Sequence, residues 1–354
     1  MIKNIFKVLI SNILVMLASV VNTLVIPKIL SIDGYAGYQT FMLYISYVGL
    51  LTFGFHAGMF VKYGGRNESQ INKEQFKSEI KLVISSQIVI SIFVFLVAII
   101  TYNKLLFATA LCILSINFVT VYKYLYQAWN QFTKYSLINI IQSFGFSGII
   151  LILWICLKKI NVQIVINIYV GINALCCLGI YIPYRRKFWK VKCNKLFSKE
   201  NREVLNVGIL LMLSGAANVI FSSVDKYYIK GLFTNYEFSM YCFAITLLNV
   251  MNVFISAIAQ PMYLQLANHI NDYEERSKYK EMLLCFGALS GCAYYAVAVI
   301  VKYFIPEYLD SLSVVAILFA IFPAVAVINC LYVNLYKATN QIKRYIFTWC
   351  HNIS

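Results

Sequence analysis

The sequence is poor in charge: only 12% of its 354 residues are Asp, Glu, Lys or Arg, against roughly 25% in an ordinary soluble domain. Carboxylates are scarcer still, 14 against 30 Lys and Arg. None of those facing the outer side, Asp33, Asp225, Glu237, Glu307 and Asp310, belongs to a paired motif. That leaves little for general acid–base or metal-assisted chemistry, and the chain is read as a non-enzyme. The ten cysteines form no CxxC pair and no Cys/His cluster with metal-ligand spacing. Nine of them (Cys112, Cys156, Cys176, Cys177, Cys242, Cys285, Cys292, Cys330, Cys350) lie in or beside apolar runs, where thiols serve as small packing residues. Only Cys193 stands in a polar stretch, which argues against both a disulfide framework and a metal site. No phosphate-cradling Walker sequence is present, so direct ATP hydrolysis is not expected.

What fills the chain is apolar: 61% of residues are hydrophobic, in runs of about 20 that are each long enough to cross a ~30 Å hydrocarbon layer as a helix. This composition makes an all-α polytopic membrane protein. The runs predict helices at 8–30, 35–61, 82–101, 105–122, 137–157, 162–183, 206–224, 238–260, 282–302 and 313–336, with a partial eleventh from Tyr345. Val8 to Leu30 is too long for a signal-peptide core, and Ser31-Ile-Asp-Gly makes a poor cleavage site, so it counts as the first span. With the N-terminus in the cytoplasm, Lys28, Lys104, Lys158, Lys159, Lys226, Lys230 and Lys302 face outward and the other 23 Lys and Arg face inward. Cytoplasmic loops carry such an excess. The net charge of +16 is therefore a topological signal, and no nucleic-acid partner is expected.

The densest cationic stretch, Arg185 to Arg202, suits a linker touching anionic headgroups. It divides the chain into an N-terminal six-helix bundle (1–183), a basic cytoplasmic linker (184–205) and a C-terminal bundle (206–354). An internal repeat supports two halves. Ile26-Pro-Lys28-Ile-Leu30 answers Ile229-Lys230-Gly-Leu232 at an offset of 202, and Tyr38 meets Tyr241 one residue later. Both copies begin from the inside, which makes the repeat parallel, about an axis along the membrane normal. Each half opens on a polar-striped helix: Asn12, Ser19 and Asn22 in the first, and Ser214, Asn218, Ser222 and Asp225 in the second. An ionisable residue such as Asp225 in an apolar segment marks either a functional site or a local pair with a nearby lysine.

With Pro27-Lys28-Ile-Leu30 before Gly37-Tyr38, Val224-Asp-Lys-Tyr-Tyr-Ile229 before Ser239-Met-Tyr241, Ala259-Gln-Pro261 and Tyr336-Lys-Ala-Thr-Asn340, the chain resembles the polysaccharide flippases. These are the Wzx-type exporters of O-antigen and capsule repeat units within the multidrug/oligosaccharidyl-lipid/polysaccharide exporter superfamily. The family usually has twelve or more helices, so the second half is read as incomplete. Ser31 and Phe233 also stand where the family pattern has Gly. The resemblance implies a V-shaped pair of bundles with a central cavity, in the bacterial cytoplasmic membrane, moving an undecaprenyl-diphosphate-linked oligosaccharide outward. It implies no cofactor beyond a proton or sodium gradient. A polysaccharide polymerase and other assembly proteins are the expected partners besides the lipid bilayer. The substrate-cavity candidates are Asn22, Lys28, Lys62, Asn218, Asp225, Lys226 and Lys230, with Lys123 a further phosphate candidate. Lysines would act as point charges on phosphate and asparagines as partners of sugar hydroxyls, while snorkelling and interhelical bonding are the structural roles open to the same residues. His56, in Phe53-Gly-Phe-His56-Ala-Gly58, is read as a packed neutral imidazole. Two other functions stand beside the flippase: a cation-coupled multidrug exporter, which would favour acidic residues in its cavity, and a membrane polysaccharide polymerase, which would call for catalytic carboxylates or a large outer loop.

Overall fold

A computed structural model describes residues 2–66, 70–157, 159–196, 198–268, 277–278, 280–285 and 291–332, without the side chains of 2–13, 214, 253–268, 326 and 329–330. The expected eleventh helix from Tyr345, the Tyr336–Asn340 motif and the side chains of Asn12, Ser214 and Ala259–Pro261 lie outside what is described.

The regular structure of the described residues is all helical, without strands. In order they form α1 (Ile2–Ile29), α2 (Ile32–Val48), α3 (Phe55–Tyr63), α4 (Lys73–Ile100), α5 (Lys104–Ala128), α6 (Phe132–Leu157), α7 (Val162–Phe188), α8 (Lys199–Leu232), α9 (Asn235–Asn268), α10 (Ala293–Phe304) and α11 (Ser311–Val327). Among them α4 to α8 are five helices long and apolar enough to cross a membrane, and the bent pair α2/α3 makes a sixth. The chain divides into two compact units, Met1–Ser239 and Met240–Ser354. The basic stretch 184–205 and all of α8 fall in the first.

Short polar residues set where the helices begin. A helix leaves its first N–H groups unpaired, and apolar surroundings make that costly. Ser31 caps α2 through Gly34 N–H at 3.1 Å, Asn72 caps α4, Asn103 caps α5, Asn161 caps α7 and Ser198 caps α8, each with its side-chain oxygen. Each cap ends a loop, so the sharp turns follow from single residues.

The predicted helix 35–61 is broken. Phe53 (φ 48°) and Gly54 (φ 73°) are both left-handed, and the axis bends by 50° between the segments on either side. Such a break frees carbonyls, and those of Val48 to Leu51 are met. Asn117 Nδ2 of α5 donates to Val48 O at 3.0 Å, and Gln87 Nε2 of α4 donates to Leu51 O at 3.0 Å. Thr52 Oγ1 donates to Gly49 O at 2.9 Å, and Phe53 N–H to Leu50 O at 2.9 Å. With its one hydrogen on Gly49, the Thr52 hydroxyl accepts from His56 Nδ1 at 2.8 Å, and the imidazole rests edge-on against Tyr124. Irregular backbone inside an apolar bundle is tolerated on these terms.

α5 is the axis of the first unit: 61% of its most apolar stretch is buried, against 12–33% for the other four long spans. Ala108 and Cys112 on α5 meet Phe41 of α2 and Ile166 of α7, while α1 packs on α6 and α4 on α5. α3 and the start of α8 touch backbone to backbone. A Cβ on Gly54 would sit 2.0 Å from Gly208 O, and one on Gly58 would sit 2.1 Å from Val204 O. Small residues permit this approach.

The turns of the first unit gather at two ends. Ile160 N–H bonds to Ile29 O, and Ser239 Oγ to Ile32 O, which joins the α6/α7 and α8/α9 turns to the α1/α2 turn. At the other end Gly65 N–H bonds to Ala128 O, and Lys77 Nζ to Val191 O. In the second unit, α9 continues from Met240, and Tyr308, fully buried in the one-turn helix before α11, packs against Phe243 at 4.8 Å between ring centroids.

Candidate functional site

A cavity of about 440 Å³ lies inside the first unit, walled by α1, α2, α5, α6 and α7. Its apolar wall is Val15, Met42, Ile116, Phe146 and Ile172. Its polar wall is a directed chain of side chains. Lys123 Nζ on α5 donates to Gln142 Oε1 on α6 at 3.0 Å, and Gln142 Nε2 donates to Asn173 Oδ1 on α7 at 2.9 Å. Asn173 Nδ2 closes the chain on Tyr169 O at 2.9 Å. Each amide accepts on its oxygen and donates from its nitrogen, so the ammonium polarises the whole line. One of the three N–H donors of Lys123 goes to Gln142, and among the described residues no carboxylate lines the cavity. The remaining donors are available to an anionic guest.

Across the cavity, α1 contributes Ser19 and Asn22. Asn22 Oδ1 is buried with no hydrogen-bond partner. An acceptor held in that state costs stability until a donor reaches it, and a hydroxyl-bearing guest would supply one. Tyr38 and Tyr169 present rings to the same space, with Tyr169 fixed edge-on between Phe41 and Phe146, both at 5.7 Å. The site thus offers one cation, several amide and hydroxyl groups and two aromatic faces.

Of the candidates read from the sequence, Asn22 and Lys123 meet in this cavity. Lys62 goes elsewhere: it pairs with Glu79, which is fully buried and also accepts from Tyr63 Oη at 2.6 Å and Gln75 Nε2 at 3.0 Å. Gln75 donates onward to Asn201 Oδ1 at 2.7 Å, and Asn201 Nδ2 to Leu196 O at 2.7 Å. Lys62 therefore neutralises a carboxylate in a network that straps the basic connector to α4. Lys28 is half-buried at the C-terminal end of α1. Asn218 and Ser222 are exposed on α8, and Asp225 and Lys226 are half-buried, with Asp225 Oδ1 accepting from the Lys226 N–H at 2.8 Å. Lys230 donates to Asn235 Oδ1 at 2.8 Å and lies over the Phe238 ring.

Sequence reasoning missed Gln142, Asn173 and Ser223. Ser223 is buried and bonds to Tyr47 Oη at 2.5 Å, one residue off the exposed stripe. An amide inside a largely apolar run was the available signal for the first two, shared with Asn139 on α6 and Asn167 on α7. Comparison with protein-family models, with curated proteins and with solved structures finds no match.

Proposed function

We propose that the protein is a transporter that flips an undecaprenyl-diphosphate-linked oligosaccharide repeat unit to the outer leaflet for surface polysaccharide synthesis. The observation that carries this reading is Lys123, an ammonium with no carboxylate beside it among the described residues, held in an amide- and hydroxyl-lined cavity inside an apolar bundle. A diphosphate and its sugars cannot cross hydrocarbon unaided, because ions and unpaired hydroxyls are expensive there. A cation, a polarised amide chain and the orphaned Asn22 oxygen would each lower that barrier, the first for phosphate and the others for hydroxyls. The volume of about 440 Å³ falls within the range of sites that take one small ligand, the size of a headgroup rather than of a whole glycan. A lining in which the described residues include no carboxylate favours an anionic cargo over the cations of a multidrug exporter.

The same reading carries the finer architecture: about ten spans and a partial eleventh, two bundles related by a parallel repeat, and an N-terminus in the bacterial cytoplasm. Disrupting the gene in its host should make lipid-linked repeat units accumulate on the inner leaflet and lower surface polysaccharide. Unchanged lipid-linked pools with normal surface glycan would overturn the proposal.

A further inference from the structure

We infer that the connector-side end of α7 is a binding site for an anionic phospholipid, with its phosphate held by Arg185 and Arg186 and an acyl chain laid along Leu178 and Ile182. A second cavity, of about 590 Å³, opens there and is lined by Leu178, Tyr181, Ile182, Arg185, Arg186 and Trp189. On a helix the spacings 178, 181, 185, 189 and 178, 182, 186 put all six on one side. Followed toward the helix end, that side passes from Leu178, Tyr181 and Ile182 to Arg185 and Arg186, as a phospholipid passes from chain to phosphate. Leu178 is 51% exposed, Ile182 48% and Trp189 65%. The site is therefore open, and its apolar part belongs to a helix long and apolar enough to cross a membrane.

Two features separate it from an ordinary basic loop. Arg185 lies over the Trp189 ring, 4.8 Å from the centroid, a cation–π contact that restrains a side chain whose planar fork can bind phosphate through two parallel hydrogen bonds. The arginines also outweigh the field of their own helix. A helix C-terminus carries roughly half a negative charge, whereas Arg185, Arg186 and Lys187 bring three positive ones in the last turn of α7. Charge complementarity thus selects an anion, and the aliphatic strip selects one that carries a hydrocarbon chain. A phosphate diester is the shared chemistry of a lipid headgroup and a free phosphate compound; the strip favours the lipid.

The test uses the full chain in detergent and native mass spectrometry. Retained phosphatidylglycerol is compared with retained phosphatidylcholine, and inorganic phosphate serves as the chainless probe. Wild-type protein should hold phosphatidylglycerol preferentially and ignore inorganic phosphate. Surface cations contribute roughly fivefold each to anionic-lipid binding, so Arg185→Gln/Arg186→Gln should lose roughly thirtyfold. Lys190→Gln/Lys192→Gln, outside the cavity, should lose far less. Ile182→Ser should weaken retention of the lipid with both arginines intact. Equal retention of the two lipids, equal losses in the two double variants, or displacement by millimolar phosphate would each overturn the inference. A wild-type melting curve for the double arginine variant excludes misfolding as the cause of its loss.

Discussion

Single polar side chains decide where this bundle is chemically open. Lys123 is the clearest case, because its ammonium meets an amide in the cavity and, among the described residues, no carboxylate. A hydrogen bond from a charged donor is worth about 1.5–3 kcal/mol, so Lys123→Met should slow flipping roughly tenfold to a hundredfold, with Lys123→Arg closer to wild type. Leaflet accessibility of a fluorescent lipid-linked oligosaccharide in proteoliposomes measures the rate. Wild-type flipping by the methionine variant would leave Lys123 a purely structural residue. In the sequence Lys123 was legible only as one lysine near a helix end among several. Asn22 was legible as part of a polar face, because helical spacing identifies a face without its neighbour. Gln142 and Asn173 escaped because their importance lies in meeting each other across two helices, and sequence periodicity carries no information on which helices touch. Lys62 shows the converse: it reads as a free cation until α4 places Glu79 beside it.

Among the elements, the break between α2 and α3 is where local sequence and tertiary structure separate. Gly54 and Gly58 are spaced four apart in an apolar run, a pattern that fits a straight, tightly packed span as well as a bent one. What bends it is the set of donors on α4 and α5 that receive the freed carbonyls. Replacing Asn117 with Leu should orphan Gln87 Oε1 and strip Val48 O of its side-chain donor, at roughly 1–3 kcal/mol for the buried acceptor, and lower the unfolding midpoint in detergent. An unchanged midpoint would mean that the bend satisfies itself. The α8/α9 turn gives a pH-dependent counterpart outside the apolar layer. Thr234 N–H and Oγ1 both donate to Glu237 Oε2 at 2.9 Å, and Glu237 N–H donates back to Thr234 Oγ1. The bonds from the Thr234 backbone and hydroxyl hold the Glu237 carboxyl below the usual carboxylate range. A lowered folded-state value means that the cap is at full strength above the unfolded-state value, about 4.3, and is lost as pH falls through the lower folded one. Protection of these amides from hydrogen exchange should therefore fall in acid, and Glu237→Gln should abolish that dependence. Such caps were only partly readable, since Thr234-x-x-Glu237 is a capping signature but the spacing alone does not say that the helix starts there.

For the whole molecule, composition was the strongest guide, because a bilayer punishes unpaired polar groups so heavily that 61% hydrophobic residues in long runs admit little but membrane helices. Chain direction through the membrane follows from the same physics applied to charge. In the first unit, the end that gathers the α3/α4, α5/α6 and α7/α8 connections holds Arg66, Lys73, Lys77, Lys134 and the run from Arg185 to Arg202. The opposite end, with the α1/α2, α6/α7 and α8/α9 turns, holds Lys28, Lys159 and Lys230. Because cytoplasmic loops retain lysine and arginine, the connector end should be cytoplasmic. Two residues report on this directly: Cys193, an exposed free thiol in the connector, and Tyr102, 91% exposed in the α4/α5 turn. In a chain that keeps Cys193 and has its other nine cysteines replaced by alanine, a membrane-impermeant maleimide should label only after the cells are permeabilised. In a second chain with all ten cysteines replaced and Tyr102→Cys added, the same reagent should label intact cells. The reverse pattern would invert the protein, and Arg185 and Arg186 would then face the outer leaflet.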